Sequence, residues 1–499
     1  MRPWLPEKPA KSAGGHVQNC LRMKANNAIF NMIYKLLNVL FPLISSAYIS
    51  RIILADGIGK VSYAQNIVSY FTMVAALGIP SYGIREIAKS RNNHNELNKT
   101  FTELFCINFI STFLCVFIYY IFILSFQQFQ KEITLHLIFG LLIVFNFINV
   151  DWFYQGMEDY VYISIRSIII KFLSLVLLFL FVKDRNDYII YAIITCLATG
   201  GNYIYNIFHL RKYISFQFHD INLLNHMKPI LLLVVCSIST ELYSKIDVTM
   251  LGSNYDERIV GYYTNAQKLI TVIVSITSSL SSVFLPRLSY YYINEEKKFN
   301  DLISKGLNIL FYISIPSCLG LLLISNNLIP AFFGSNFNPA VLTVQILSPL
   351  IIIKSVGDLL CYQINIATNN ERKLLYAYSA AAIINIVLNS IFIPIYFDKG
   401  AAFASVISEL VVNISLSISS LKMIKIKMSK KNITSIIYSS IALICVVSII
   451  NLLKINSVII LMIQVVCGII VYLTISLLTH NEFALTMIQY IKNKIHLPN

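Results

Sequence analysis

Charged side chains are scarce in this sequence. Asp, Glu, Lys and Arg make up 13% of its 499 residues and 57% are hydrophobic, against roughly 25% and 45–50% in soluble proteins. Together with a mean hydropathy of +0.68, this excludes a soluble globular enzyme, because the apolar surface left in water would exceed what a domain surface tolerates. Long loops are lacking too. No stretch between apolar runs exceeds about 23 residues, the remainder being taken up by runs of spanning length, so a membrane glycosyltransferase or glycan polymerase has no large external loop on which to build its site. A GxxxxGK[ST] phosphate cradle is absent, which excludes ATP-driven transport within this chain. The nine cysteines show no CxxC or Cys/His spacing. Eight of them, Cys106, Cys115, Cys196, Cys236, Cys318, Cys361, Cys445 and Cys467, lie inside apolar runs and read as small hydrophobes rather than metal ligands or disulfides. The eight histidines form no His-x-x-x-His pair and no carboxylate cluster, so no catalytic constellation is visible.

Hydrophobic runs bounded by charge are what the sequence does have. Fourteen are expected, at about 28–50, 61–80, 103–125, 133–153, 161–182, 188–210, 229–251, 265–286, 306–330, 340–366, 374–396, 400–421, 433–453 and 456–478, each close to the length that crosses a bilayer. The segments on the N-terminal side of these runs carry 25 Lys and Arg, and the opposite side carries 8. That bias puts both termini in the cytoplasm, and the net charge of +15 is therefore topological, with no nucleic-acid partner. The first 22 residues are Pro-rich, lack the apolar core of a signal peptide, and are expected to be disordered. Met23, just before Lys24 and the first run, is the expected natural start.

An internal repeat runs through the chain. Ile58-Gly59-Lys60-Val61-Ser62-Tyr63-Ala64-Gln65 matches Val260-Gly261-Tyr262-Tyr263-Thr264-Asn265-Ala266-Gln267 at an offset of 202 residues, and Phe101-Thr102-Glu103-Leu104 matches Phe299-Asn300-Asp301-Leu302 one loop later. Both octapeptides open a span in the same direction, so spans 1–6 and 7–12 form a parallel duplication of the kind transporters build around an axis along the membrane normal. The expected organisation is an all-α polytopic membrane protein of about 14 transmembrane helices. It comprises a disordered extension over 1–24, a six-helix bundle over 25–212, a second over 213–422, and two additional helices with a cytoplasmic tail over 423–499.

A charge at the centre of a bilayer costs at least a few kcal/mol and therefore faces a wet cavity or a partner. On helical wheels Asn31, Lys35, Asn38, Pro42, Ser45 and Ser46 share one side of span 1, and Asn265, Lys268, Thr271, Ser275, Ser279 and Ser282 one side of span 8. Spans 2, 7 and 10 add Gln65, Ser69 and Thr72, then Ser237, Glu241, Ser244 and Lys245, then Lys354, Asp358 and Asn365. These stripes describe a water-filled, partly cationic cavity, although Ser/Thr stripes also serve as contacts between helices. Glu241/Lys245 and Lys354/Asp358 can be transport groups or i,i+4 pairs that neutralise each other. Arg51, Lys60, Arg85 and Arg287 stand at span ends, where snorkelling to the interface accounts for them. Lys35 and Lys268 have no partner at i±3 or i±4 and are the candidates to contact an anionic substrate. Asp247, off the Glu241/Lys245 stripe, is expected to bond a neighbouring helix or to take part in cation coupling.

Read in order, the segments NAIFNMIYKLLNVLFPLISSAYISRIILADGIGKVSYA from Asn27, LGIPSYGIREIAKSR from Leu77, VDWFYQGMEDYVYISIRS from Val150, KIDVTMLG from Lys245 and FLPRLS from Phe284 resemble the O-antigen (Wzx-type) flippases of the multidrug/oligosaccharidyl-lipid/polysaccharide exporter superfamily. The resemblance continues through ILSPLIIIKSVGDLLCYQINIATNNER to about residue 420 and leaves the last two spans unpatterned. It implies two six-helix bundles in a V-shaped, MATE-like arrangement with alternating access. The implied activity is transfer of undecaprenyl-pyrophosphate-linked sugar repeat units from the cytoplasmic to the periplasmic face of the bacterial inner membrane, driven by a proton or sodium gradient. An O-antigen polymerase and a chain-length regulator are the implied partners. Arg51, Arg85, Asp247 and Lys268 match charged positions typical of that family. The alternatives are a cation-coupled multidrug exporter of the same superfamily, for which acidic cavity residues would dominate, and a membrane glycan polymerase or glycosyltransferase.

Overall fold

The computed structural model describes residues 14–495 except 220, 369, 422–423 and 454–456, with side chains from 41 to 489 save 232, 236, 371–372, 419, 421 and 457. Residues 1–13 of the extension expected to be disordered, and the side chain of Lys35, fall outside the described residues, whereas residues 14–24, expected to be disordered too, form the first turns of a long helix. Helices α1 (Gly14–Ala76), α2 (Ile79–Ser90), α3 (His94–Ser125), α4 (Ile133–Asn146), α5 (Asp151–Gly156), α6 (Tyr160–Phe181) and α7 (Tyr188–Leu210) build the first half. The second half comprises α8 (Leu224–Asn254), α9 (Glu257–Ser282), α10 (Leu285–Asn294), α11 (Glu296–Phe333), α12 (Ala340–Leu347), α13 (Leu350–Gly357), α14 (Ile364–Ala367) and α15 (Glu371–Leu421). Three more, α16 (Lys430–Asn451), α17 (Ser457–Leu478) and α18 (Glu482–Ile495), follow.

Eleven helical stretches among the described residues are long and apolar enough to cross a membrane. Two of them contain a break where the backbone leaves helical geometry, at Leu54 in α1 (φ 58°) and Phe397 in α15 (φ 53°). At the second, the Phe392 and Phe403 rings pack 5.2 Å apart. Eleven residues of continuous helix would separate them by about 16 Å, so the chain doubles back. With these breaks and α7, all fourteen expected runs coincide with helix. Large apolar side chains cover the outer faces, among them Phe113 (67% exposed) on α3, Phe172 (68%) on α6 and Ile470 (56%) on α17, a surface that only lipid solvates well.

The two halves repeat one another in detail. Short helices that the hydropathy pattern hides follow the second span of each half: α2 and α10, each with a proline, Pro80 or Pro286, in its first turn, where the missing amide costs nothing. In the first half, the extended segment after α7 runs along α3. Asn98 Oδ1 accepts the Ser215 amide (3.1 Å) and Thr102 Oγ1 that of Gln217 (3.0 Å). In the second half, Asn300 Oδ1 and Ser304 Oγ on α11 accept the amides of Lys425 (2.9 Å) and Lys427 (3.1 Å). The acceptors, Asn98/Asn300 and Thr102/Ser304, stand 202 residues apart and the donors 210, so on these helices the sequence match of Phe101 with Phe299 is displaced by one helical turn from the structural equivalence. A slip of four residues keeps the same face of the helix apolar, and pattern matching cannot detect it.

At the axis between the halves α1 crosses α9. A Cβ on Gly59 would fall 1.6 Å from the Glu257 carbonyl oxygen, and one on Gly261 would fall 2.1 Å from that of Ala55. Gly59/Gly261 and Ala55/Glu257 are equivalent pairs at the 202-residue offset, and the equivalent Ser62 and Thr264 hydrogen-bond to each other (3.3 Å). Only glycine permits this approach of backbones. Around the crossing one apolar core runs through both halves, joining Ile49, Ile53 and Ile58 to Val260, Phe333 and Phe337. The last helices pack on α11: the Tyr472 hydroxyl donates to the Tyr312 carbonyl (2.9 Å), and Asn327 bonds Asn451 (3.1 Å) and Gln464 (3.2 Å).

Candidate functional site

Polar residues from both halves converge on a cavity of about 660 Å³, with Gln65, Ser69 and Thr72 from α1, Glu241 and Lys245 from α8, and Gln267, Lys268 and Thr271 from α9. The stripes of spans 2, 7 and 8 thus meet on one space. Glu241 and Lys245 are paired (2.6 Å), leaving Lys268 as the cation on this wall with no carboxylate partner among the described residues. Its Nζ donates to Asn265 Oδ1 (3.0 Å), and the fully buried Asn265 is anchored in turn by donating to Ser50 Oγ (2.7 Å).

A side chamber of about 380 Å³ opens off this cavity between α1, α6 and α7, sharing Pro42, Gln65, Tyr203 and Lys268 with it. Its wall carries Arg166, Lys171 and Asp151. Arg166, almost fully buried, pairs with Asp151 (3.0 Å), donates from Nε to Asn202 Oδ1 (3.1 Å), and bonds Asn206, whose amide returns to Asp151 (2.5 Å). Asp151 and Arg166 open and nearly close the segment VDWFYQGMEDYVYISIRS. Arg166 and Lys171 are not among the candidates named from the sequence, although both are charges inside an apolar run, 161–182.

The second half has its own pocket of about 230 Å³, which joins the central cavity at Gln267 and Thr271. Asp247 lies buried there. Its Oδ2 accepts from the Tyr263 hydroxyl (2.5 Å) and Ser405 Oγ (2.6 Å), and its Oδ1 from Asn389 Nδ2 (2.5 Å), so it bonds neighbouring helices α9 and α15, as one of its two readings expects. No Lys or Arg is among these partners, and the buried Asn389 Oδ1 accepts no hydrogen bond. Carboxylate, amide and hydroxyl oxygens together form a hard donor set.

Lys354 does not pair with Asp358. Its Nζ meets Glu409 on α15 (3.1 Å), which also accepts from the Tyr243 hydroxyl and from Asn413 (3.2 Å). The chain from Asp358 to Gln363 is a π-helical segment, whose extra residue per turn upsets the i,i+4 spacing that the pairing requires. Asp358 accepts instead from Gln363 Nε2 (3.4 Å). Glu409 was not singled out by sequence reasoning, although it too is a charge within a span. Arg51 and Arg85 lie away from these cavities. Arg51 donates to the Ala331 carbonyl near the end of α11, and exposed Arg85 contacts Glu86 (3.4 Å) and the Tyr82 ring.

An apolar groove of about 460 Å³ lies on the outside of α11, walled by α9, α16 and α17 and sharing Leu43 and Val272 with the central cavity. Its floor is open at two glycines. A Cβ on Gly320 would meet nothing within 4 Å, and one on Gly468 only Val447 at 3.5 Å.

Comparison with known proteins places this architecture. A family described as polysaccharide biosynthesis protein matches residues 25–292, over half of the chain. A putative O-antigen transporter of Escherichia coli (strain K12) is 22% identical over 406 residues, covering 77% of this chain and 94% of that protein. The capsular polysaccharide biosynthesis protein CapF of Staphylococcus aureus is 24% identical over 401 residues, 78% of this chain and 97% of its own. A probable low-salt glycan biosynthesis flippase of Haloferax volcanii is 28% identical over 247 residues, 49% of this chain and 52% of that protein. Among solved structures, the lipid II flippase MurJ in an inward closed conformation superposes with a TM-score of 0.74 at 17% identity, covering 92% of this chain and 99% of that one. An outward-facing multidrug resistance MATE family transporter of the MOP superfamily reaches 0.57 at 15% identity, covering 80% and 95%. These likenesses show the fold.

Proposed function

The chain belongs to the polysaccharide biosynthesis protein family, and from that premise we propose that it is a flippase, not an enzyme, which carries undecaprenyl-pyrophosphate-linked O-antigen or related polysaccharide repeat units across the membrane by alternating access. The observation that carries this reading is the shared wall between a polar, lysine-bearing cavity at the interface of the halves and an apolar groove beside it. An amphiphile with a charged, sugar-bearing head and a long hydrocarbon chain needs both surfaces at once, and neither a free sugar nor a small lipophilic cation does. The names of the relatives, an O-antigen transporter and a glycan flippase, agree.

In this reading the molecule sits in the bacterial inner membrane with both termini cytoplasmic, as its charge bias implies. The Gly59/Gly261 end then faces the periplasm and is closed. At the opposite end α2 meets α8 in the same structure, where Gly78 abuts Leu233 and Tyr82 bonds His226 (2.9 Å), and transport opens the two ends in turn. Asp247 is the proposed site of ion coupling, because a buried carboxylate bonded only by neutral donors takes up a proton or Na⁺ more readily than one already paired. The polymerase and chain-length regulator are the expected partners. Deletion of the gene in its host should abolish the O-antigen ladder on a lipopolysaccharide gel and leave lipid-linked repeat units on the cytoplasmic face, with recovery on complementation. An intact ladder in a strain with no second flippase would favour the drug-exporter reading, to which the acidic residues of the second-half pocket lend support.

A further inference from the structure

Resting on the cytoplasmic placement of both termini in that reading, we propose that the segment joining α15 to α16 is a docking site for an anionic phospholipid of the cytoplasmic leaflet, with Lys425, Lys427 and Lys430 at its phosphate and the outer ridge of α16 along an acyl chain. The segment is pinned by its backbone. Its amides at Lys425 and Lys427 donate to Asn300 Oδ1 (2.9 Å) and Ser304 Oγ (3.1 Å) on α11, and alternate side chains turn inward: Ile424 is buried in the second-half core and Ile426 packs against it. That alternation leaves Lys425 and Lys427 exposed on one side of the chain, about 7 Å apart. Lys305, one residue beyond Ser304, and Lys430 and Lys431, in the first turn of α16, are exposed as well. None of the five forms an ion pair among the described residues. The neighbouring carboxylates are fewer: Asp301 stands one turn before Lys305, and Glu482 accepts from Asn432 Nδ2 (3.0 Å).

The fold does not require these charges. In the first half the equivalent docking on α3 is made through the amides of Ser215 and Gln217, so lysine at 425 and 427 adds nothing to the packing of the segment. What it adds is a positive field at the level where lipid phosphates lie. An apolar surface continues from it. At 100° per residue Ile433, Ile437, Ile441 and Ile444 share one face of α16 with Lys430, and all four isoleucines are exposed. From Ile433 to Ile444 the ridge runs about 16 Å, close to the depth of one hydrocarbon leaflet, half of about 30 Å. Cations at the head of a bare apolar ridge match an amphiphile that carries a phosphate at one end. The acidic face of a soluble partner would engage the lysines and leave the ridge unused.

The test titrates the full-length protein in detergent with phosphatidylglycerol and, as the zwitterionic probe, phosphatidylcholine, and reads bound lipid by native mass spectrometry. Wild type should prefer phosphatidylglycerol. Lys425→Gln/Lys427→Gln should weaken its binding about tenfold or more and Lys430→Gln about fivefold, at about fivefold for each lysine beside an anionic surface, with phosphatidylcholine binding and the thermal midpoint unchanged. Lys425→Arg/Lys427→Arg should retain the preference. Arg211→Gln/Lys212→Gln, which removes an exposed basic pair at the end of α7, should alter neither lipid, and glycerol phosphate, a head group without chains, should not displace the lipid. Wild-type binding in the Lys425/Lys427 glutamine variant, equal weakening in the Arg211/Lys212 variant, or displacement by glycerol phosphate would overturn the lipid site, and the first of these joined to loss of glycan export in cells would assign the lysines to an acidic protein partner instead. Binding to purified protein does not depend on which leaflet the segment faces in cells, so failure here leaves the flippase reading standing, and an intact O-antigen ladder after gene deletion would overturn that reading alone.

Discussion

Residues in this protein separate into those whose charge shows in the sequence and those whose partner does not. Glu241, Lys245, Asp247, Lys268, Lys354 and Asp358 all stand out as polar groups inside apolar runs, because a charge in hydrocarbon is costly wherever it falls. The partner is a different matter: Lys354 takes Glu409, 55 residues away on another helix, in place of Asp358 four residues away. The Asp151–Arg166 pair shows what partnership is worth. Replacing Arg166 by Leu strands Asp151 without its cation, leaving it the Asn206 amide, and should cost about 3 kcal/mol, seen as a lower thermal midpoint in detergent. The double variant with Asp151→Leu should lose less than the two single changes together. At Asp247 the expectation concerns function. Asp247→Asn should still bind lipid but lose the dependence of transport on an imposed proton or sodium gradient in proteoliposomes, and a gradient dependence equal to wild type would exclude it as the coupling group.

Among the elements, the crossing of α1 and α9 decides how the halves close. Backbone approaches backbone there at Gly59 and Gly261, and a side chain at either position has no space to occupy. Gly59→Leu should hold that end apart and favour the alternative state. Spin labels at the exposed Arg185 and, in the first turn of α9, Arg258 should then show longer distances by double electron–electron resonance, with Gly261→Leu acting the same way; unchanged distances in both would argue against the crossing as a gate. The repeated octapeptide pointed to this element, since glycines at matching places in two copies are legible. The short helices α2, α5 and α10 were not legible, because they are brief and two of them, α2 and α10, carry only one apolar face beside long spans that dominate any hydropathy reading.

For the whole molecule, the groove beside α11 offers a test that spares stability. Gly320→Leu and Gly468→Leu place side chains in open space and should shift the thermal midpoint by no more than about 2 °C while reducing export of lipid-linked glycan, measured as the length and intensity of the surface polymer. Full export in both variants would remove the groove from the substrate path. By itself the sequence determined that this is a helical membrane protein, that it is duplicated with a 202-residue offset, and which charges must avoid lipid. Those properties follow from local composition and from the length of helix that crosses a bilayer. Only the tertiary structure decided that Asp151 answers Arg166, that Glu409 answers Lys354, that cations line the chamber of one half while acids line the pockets of the other, and that α16 and α17 complete an apolar groove. Each of these joins residues on different helices, from 15 to more than a hundred positions apart, and a helix specifies which side of it is polar without specifying which neighbour that side will face.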